Sequence, residues 1–226
     1  MFESKYSKVL TIILAIVIIA ILALLGFLGY DMYQKYFIEN EAAAFVENFE
    51  KEKEDENKDK EEQNQVADEN TNNPLDQLGK TPGTGENNSG NSQPTYKGFN
   101  MVGTMVIPKT NFQYPILEKV TKKSIETAVA VLYGAGINQV GNTVIIGHNY
   151  RNGLFFSNNK KLNIGDKIYI TDNSGNKLTY TIYNKFETTD TDTSFYQRDT
   201  QGKPEVTLST CTDDSKARLI ILAKAE

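Results

Sequence analysis

The feature that most constrains this chain is one uninterrupted apolar run. From Val9 to Gly29 no residue carries a charge, and Ile, Leu, Ala and Val dominate. As a helix rising 1.5 Å per residue, the run is ~30 Å long, the thickness of a bilayer's hydrocarbon core. A cleaved secretory signal is the rival reading. Its apolar core is usually about 7–15 residues long and ends in a small-x-small site, and Leu28-Gly29-Tyr30 is not such a site. The run is therefore read as a retained anchor, with membrane contact over residues 9–29. Lys5 and Lys8 precede it, while Asp31, Glu39 and Glu41 follow with only Lys35 nearby. That bias puts the N-terminus in the cytoplasm and the rest of the chain outside. Tyr30, Tyr33, Tyr36 and Phe37 suit the outer interfacial belt.

Charge divides the remainder. The net charge of the 226 residues is −5, but residues 1–30 carry +1, residues 31–95 carry −10 and residues 96–226 carry +4. Three parts follow: a cytoplasmic tip and transmembrane anchor, 1–30; an acidic extracellular spacer, 31–95; and a folded domain, 96–226. The spacer has helix-forming residues in Ala42-Ala43-Ala44 and in the Glu/Lys run 50–62. Residues 68–95 hold almost no apolar side chains, so that stretch reads as disordered linker. A domain of only +4 excludes a strongly basic nucleic-acid surface. One Cys excludes an intramolecular disulfide and a multi-cysteine zinc site, and one His excludes a poly-His centre. Glu118 alone is no calcium site, so neither metal nor cofactor is expected.

Apolar stretches beyond residue 96 are short and rich in Val, Ile, Tyr, Phe and Thr, which favours strands. Met101–Ile107, Tyr114–Leu117, Thr143–Gly147, Lys167–Thr171, Leu178–Thr188, Glu205–Thr210 and Arg218–Lys224 are the candidates. Asp172-Asn173-Ser174-Gly175-Asn176 is a hairpin signal. Ser124–Tyr133 is the best helix candidate, with Ile125, Ala128, Val129 and Leu132 on one face. The pattern is mostly β with one or two short helices. A closed barrel is the natural solution, since many short strands would otherwise leave open edges.

The chemistry-bearing residues are few. Cys211 ends the strand Val206–Thr210 before a polar loop, which exposes its thiol at a rim. Taken singly, it is equally compatible with an inert buried thiol. His148 ends the strand Asn142–Gly147, where Gly147 allows close backbone approach; singly, it could be a satisfied surface or core imidazole. Together they form a thiol–imidazole pair, and a His titrates near neutrality and can protonate a leaving amine. Of the three Arg, Arg218 opens the last strand seven residues after Cys211. There it can supply oxyanion donors or pair at the rim with Asp213 or Asp214. Arg151 and Arg198 read as plain surface charges. No nucleophile elbow, phosphate-binding loop or dinucleotide-binding glycine motif is present.

Thr207-Leu208-Ser209-Thr210-Cys211 followed by Arg218, the upstream Gly147-His148-Asn149, and the opening strand Val102–Lys109 together resemble the sortases, membrane-anchored cysteine transpeptidases of Gram-positive bacteria. The resemblance runs from Val102 to Lys224. It implies an eight-stranded β-barrel and a two-step exchange. Cys211 attacks the Thr–Gly carbonyl of an LPxTG-like C-terminal sorting signal. His148 protonates the departing amine and later deprotonates an incoming one. Arg218 holds the signal and stabilises the oxyanion, and Thr210 helps to shape that hole. The implied partners are surface proteins bearing sorting signals and a peptidoglycan precursor or cross-bridge amine. A hydrolytic endopeptidase and a non-catalytic wall-binding barrel are the alternatives. TLSTC is reminiscent of class B, yet the stretch between His148 and Cys211 has no room for that class's long helical insertion. No Asp-Pro-aromatic lid motif lies within residues 68–100, so an autoinhibitory lid is not expected. No Asp or Asn is marked by its position as a third member orienting His148.

Overall fold

The computed structural model describes residues 3–68 and 93–226; most of the linker expected over 68–95 lies outside the described residues. The first element is a long helix, α1 (Glu3–Asp68). The chain divides into two units, Met1–Glu41 and Ala42–Glu226. In the first, the helix is long and apolar enough to cross a membrane. Its side chains project outward all round, with Leu10 69% and Ile19 66% exposed, as expected of a helix whose solvent is lipid.

The second unit is built on β1 (Thr95–Tyr96), β2 (Phe99–Ile107), β3 (Phe112–Leu117), a one-turn helix α2 (Lys122–Ile125), β4 (Val129–Gly134), β5 (Gly141–Ile146), β6 (Lys167–Asp172), β7 (Lys177–Thr188), β8 (Pro204–Cys211) and β9 (Arg218–Ala225). Eight strands close in the order β2-β3-β4-β5-β8-β9-β7-β6, with β6 pairing back to β2, and β1 adds a two-residue extension on β2. The closed barrel expected from the sequence is therefore present, and it leaves no long open edge. Inward residues alternate along the strands: Met105 and Ile107 on β2, Ile168 and Ile170 on β6, and Tyr180 and Ile182 on β7 are all fully buried. The expected turn joins β6 to β7, with Asp172 Oδ1 accepting from the Ser174 and Asn176 backbone N–H groups.

One expectation is corrected. The helix expected over Ser124–Tyr133 is one turn long. A reciprocal cap between Thr121 and Ser124 starts it, but Val129 onward forms β4. That strand pairs in parallel with β3 and antiparallel with β5. Ala128-Val129-Ala130 fits a fully buried strand as well as a helix face, and the sheet partners decide.

The compact unit Ala42–Glu226 includes the C-terminal part of α1. Ala42, Val46 and Phe49 of α1 are buried, and Phe45 meets the Tyr96 ring edge-on at 4.8 Å. Thr104 alternates with the inward Met105, and Thr171 with the inward Ile170, so both point out of the barrel. Both are nonetheless buried, because α1 covers them. Glu50 accepts hydrogen bonds from Thr171 Oγ1 at 3.0 Å, Thr104 Oγ1 at 3.4 Å and Lys177 Nζ at 2.8 Å.

Candidate active site

The barrel's one seam between distant parallel strands builds the site. β5 and β8 run side by side in parallel, with Ile146 opposite Ser209 as the last pair. Two residues further along each strand stand His148 and Cys211, so the register brings imidazole and thiol to the same end of neighbouring strands. β9 returns antiparallel beside β8 and sets Arg218 opposite Cys211. The Arg218 guanidinium donates to Cys211 Sγ. His148, Cys211 and Arg218 line a single cleft of about 240 Å³. Neither Asp213 nor Asp214 takes Arg218. Asp213 bonds Asn149 and Lys160, and Asp214 bonds Thr212 and the Lys216 backbone.

Local chemistry explains why the strands stay together past their ladder. Gly147 N–H donates to the Ser209 carbonyl at 3.3 Å. A Cβ at Gly147 would lie 2.7 Å from Val129 Cγ1 and 2.9 Å from the Phe156 ring, so only glycine permits this approach. Thr210 is buried, and its hydroxyl donates to the Gly147 carbonyl at 2.7 Å. In this conformation the hydroxyl braces the two strands rather than pointing into the cleft. Asn149 Nδ2 donates to the Cys211 carbonyl at 3.0 Å and to Asp213 Oδ1 at 2.9 Å, while its Oδ1 accepts from the Arg151 backbone at 3.0 Å. The residue after the imidazole is thus tied to the nucleophile's own backbone. Lys160 and Asn149 together hold the Asp213 carboxyl below its usual range.

The cleft walls come from further away. Ile125, Leu132, Ile146 and Phe195 give an apolar wall; Asp190, Asp192 and Tyr196 come from the segment between β7 and β8. That segment is pinned by Arg198, which is not the plain surface charge expected. Its guanidinium donates to Glu205 through Nε at 2.7 Å, with Nη2 in ion-pair contact at 2.6 Å, and through Nη1 to the Phe195 carbonyl at 2.8 Å and Thr207 Oγ1 at 3.0 Å. Asn142 adds bonds to the Phe195 and Tyr196 carbonyls. Burial pushes the Tyr183 hydroxyl up, and its bond to Glu205 adds to the effect. Arg151 does sit on the surface, donating to Ser215 at 2.5 Å. Sequence reasoning missed Asn149 and Arg198 as structural members. Asn149 lay within the recognised stretch, but nothing local marked Arg198. Among the described residues, no group of His, Cys, Asp and Glu could hold a metal ion.

The comparisons agree with this architecture. The Sortase domain family profile matches residues 105–226. Sortase A of Bacillus anthracis is 30% identical over 124 residues, a match that covers 54% of this chain and 58% of that protein's length. Among solved structures, the Sortase D5 transpeptidase of Clostridium perfringens superposes with a TM-score of 0.52 at 29% identity, over 56% of this chain and 79% of that one. Sortase A from Corynebacterium diphtheriae gives 0.52 at 26% identity, over 57% and 61%. An eight-stranded barrel, a Cys–His–Arg rim at the end of its parallel β5/β8 seam, and a family match over more than half its length together establish that this chain belongs to the sortase family.

Proposed function

We propose that the protein is a membrane-anchored cysteine transpeptidase that cleaves an LPxTG-like C-terminal sorting signal and transfers the surface protein to a cell-wall amine. The observation that carries this reading is the Cys211 thiol in contact with the Arg218 guanidinium, in one cleft with the chain's only imidazole. The Cys211 thiol gives its proton to His148 and its sulfur adds to the Thr–Gly carbonyl. Arg218 stabilises the oxyanion that develops there, since a fixed charge in a partly desolvated cleft needs little reorganisation. As the C–N bond breaks, His148 gives its proton to the departing amine and a thioester remains. An incoming amine then gives a proton to His148, attacks the thioester and releases the thiol. Thr210 contributes to the oxyanion site by holding the Gly147 and Cys211 ends in register.

A two-substrate reaction needs two ways to the sulfur. Cys211 also borders a second opening of about 150 Å³, next to Asn149, Lys160 and Glu187. The test is a panel of sorting-signal peptides with and without amine acceptors. An amide product is expected only with acceptor, whereas cleavage that acceptors leave unaltered would make the protein an endopeptidase. The positive-inside bias supports a cytoplasmic N-terminus and an outward barrel. Protease added to intact, wall-stripped cells should release the barrel; protection until the membrane is opened would reverse the orientation.

A further inference from the structure

His148 poses an orientation problem. Among the described residues no hydrogen bond reaches its imidazole from a side chain, although its backbone is fixed: the carbonyl accepts from Phe156 N–H at 3.0 Å. What the ring does have is Tyr150. The two ring centroids lie 4.9 Å apart and the planes are inclined by 31°, so the imidazole leans over the phenol face. Tyr150 is anchored in turn. Its ring meets Phe155 at 5.7 Å, Phe155 meets Tyr114 at 5.2 Å, and Tyr114 meets Phe112 at 4.9 Å. A row of aromatic rings thus runs from the barrel interior to the imidazole. Phe155, its middle member, has φ of +51°, a conformation that bulky residues rarely adopt and that persists only where surroundings enforce it. Tyr150 itself is 43% exposed, so filling the core does not require an aromatic there.

We propose that Tyr150 is the positioning residue for His148, holding the imidazole in the cleft beside the thiol by contact with the phenol ring. The proposal rests on reading Cys211 and His148 as the reacting pair. Paired rings at this separation favour a narrow set of orientations, so the contact restricts rotation of the imidazole beside the cleft. The other charged and titratable groups lining the cleft with His148 are Cys211 from β8, Arg218 from β9, and Asp190, Asp192 and Tyr196 from the segment after β7. Glu126 acts on Tyr150 and, with burial, raises its hydroxyl. All of these stay in place when only Tyr150 is changed.

The chain's single His gives one ring signal, so the full-length protein in nanodiscs, labelled with 13C at histidine, reports the motion of that ring alone. Tyr150→Ala and Tyr150→Leu are each expected to lower the order parameter of the His148 ring. In peptide cleavage both should lower kcat about tenfold with KM little changed, the pattern of a group acting on the reacting pair. Tyr150→Phe keeps the aromatic face and should match wild type in both. An unchanged ring order parameter in Tyr150→Leu, which lacks the aromatic ring, would overturn the proposal. So would a Tyr150→Phe variant as impaired as Tyr150→Ala, since the hydroxyl would then be responsible. The ring-order measurement uses no substrate: if wild type cleaves no sorting peptide, the proposed function fails while the comparison of ring order still decides the role of Tyr150.

Discussion

The barrel has two seams half a circumference apart in strand order, and they are built for different ends. At β5/β8 the strands are parallel, their ends meet a cleft, and the polar groups there are exposed or turned toward one another's backbones. At β2/β6 the strands are antiparallel, and the outward Thr104 and Thr171 are sealed beneath α1 with Glu50 between them. One seam concentrates reactive groups and leaves them reachable. The other removes polar groups from water and satisfies them. Changes at the first should therefore alter rate with little effect on folding, and changes at the second should do the reverse.

That contrast can be broken at several points. The largest effect is expected from Arg218→Lys, which keeps the charge but loses the planar fork. Cleavage should fall by about 100-fold or more, in line with loss of an oxyanion donor, while thermal melting stays near wild type; a melting loss comparable to a core mutant would mean the Arg is structural. Phe49→Ala should do the opposite. Removing this buried ring costs about 2–4 kcal/mol, read as a lower melting temperature of the Ala42–Glu226 unit, with the activity of the remaining folded protein unchanged. Arg198→Lys crosses the two categories, because it loosens a buried network and also the cleft wall it pins. We expect about 1–3 kcal/mol of destabilisation together with a raised KM for peptide. Normal KM and stability would return Arg198 to the plain surface charge its sequence position suggested. Glu50→Gln is the smallest. The amide still accepts from the threonines but loses its charge toward Lys177, so about 1 kcal/mol of stability is at stake, measured by urea unfolding.

The same two seams differ in how far they could be read from sequence. At β5/β8 the reactive residues are singular: one Cys, one His and an Arg at a fixed distance behind the Cys, each at the end of a β-rich run. Scarcity left little choice, and the strand ends supplied the geometry. At the helix-covered seam the signal was present but faint. Ala42, Phe45, Val46 and Phe49 recur at helical spacing, yet they sit in an acidic segment whose composition resembles solvated spacer. The partner of Phe45, Tyr96, and those of Glu50, Thr104 and Thr171, are remote in the chain and individually ordinary. Arg198 was misread for a related reason, since Glu205, Thr207 and Tyr183 become its partners only once β7 and β8 flank β9. The segment Ser124–Tyr133 failed differently. Its apolar residues satisfy helix and buried-strand patterns alike, and only the neighbouring β3 and β5 distinguish them.

The central claim is that the Cys211 sulfur becomes acylated by the peptide it cleaves. Full-length protein mixed with a sorting-signal peptide in the absence of amine acceptor, quenched in acid and weighed intact, measures this directly. The wild type should gain the mass of the peptide portion ending at Thr, mapped to Cys211, and should lose it when an amine acceptor is added. Cys211→Ala should gain nothing and cleave nothing while melting like wild type. Cleavage by the wild type with no such adduct, or cleavage that survives Cys211→Ala, would contradict the account.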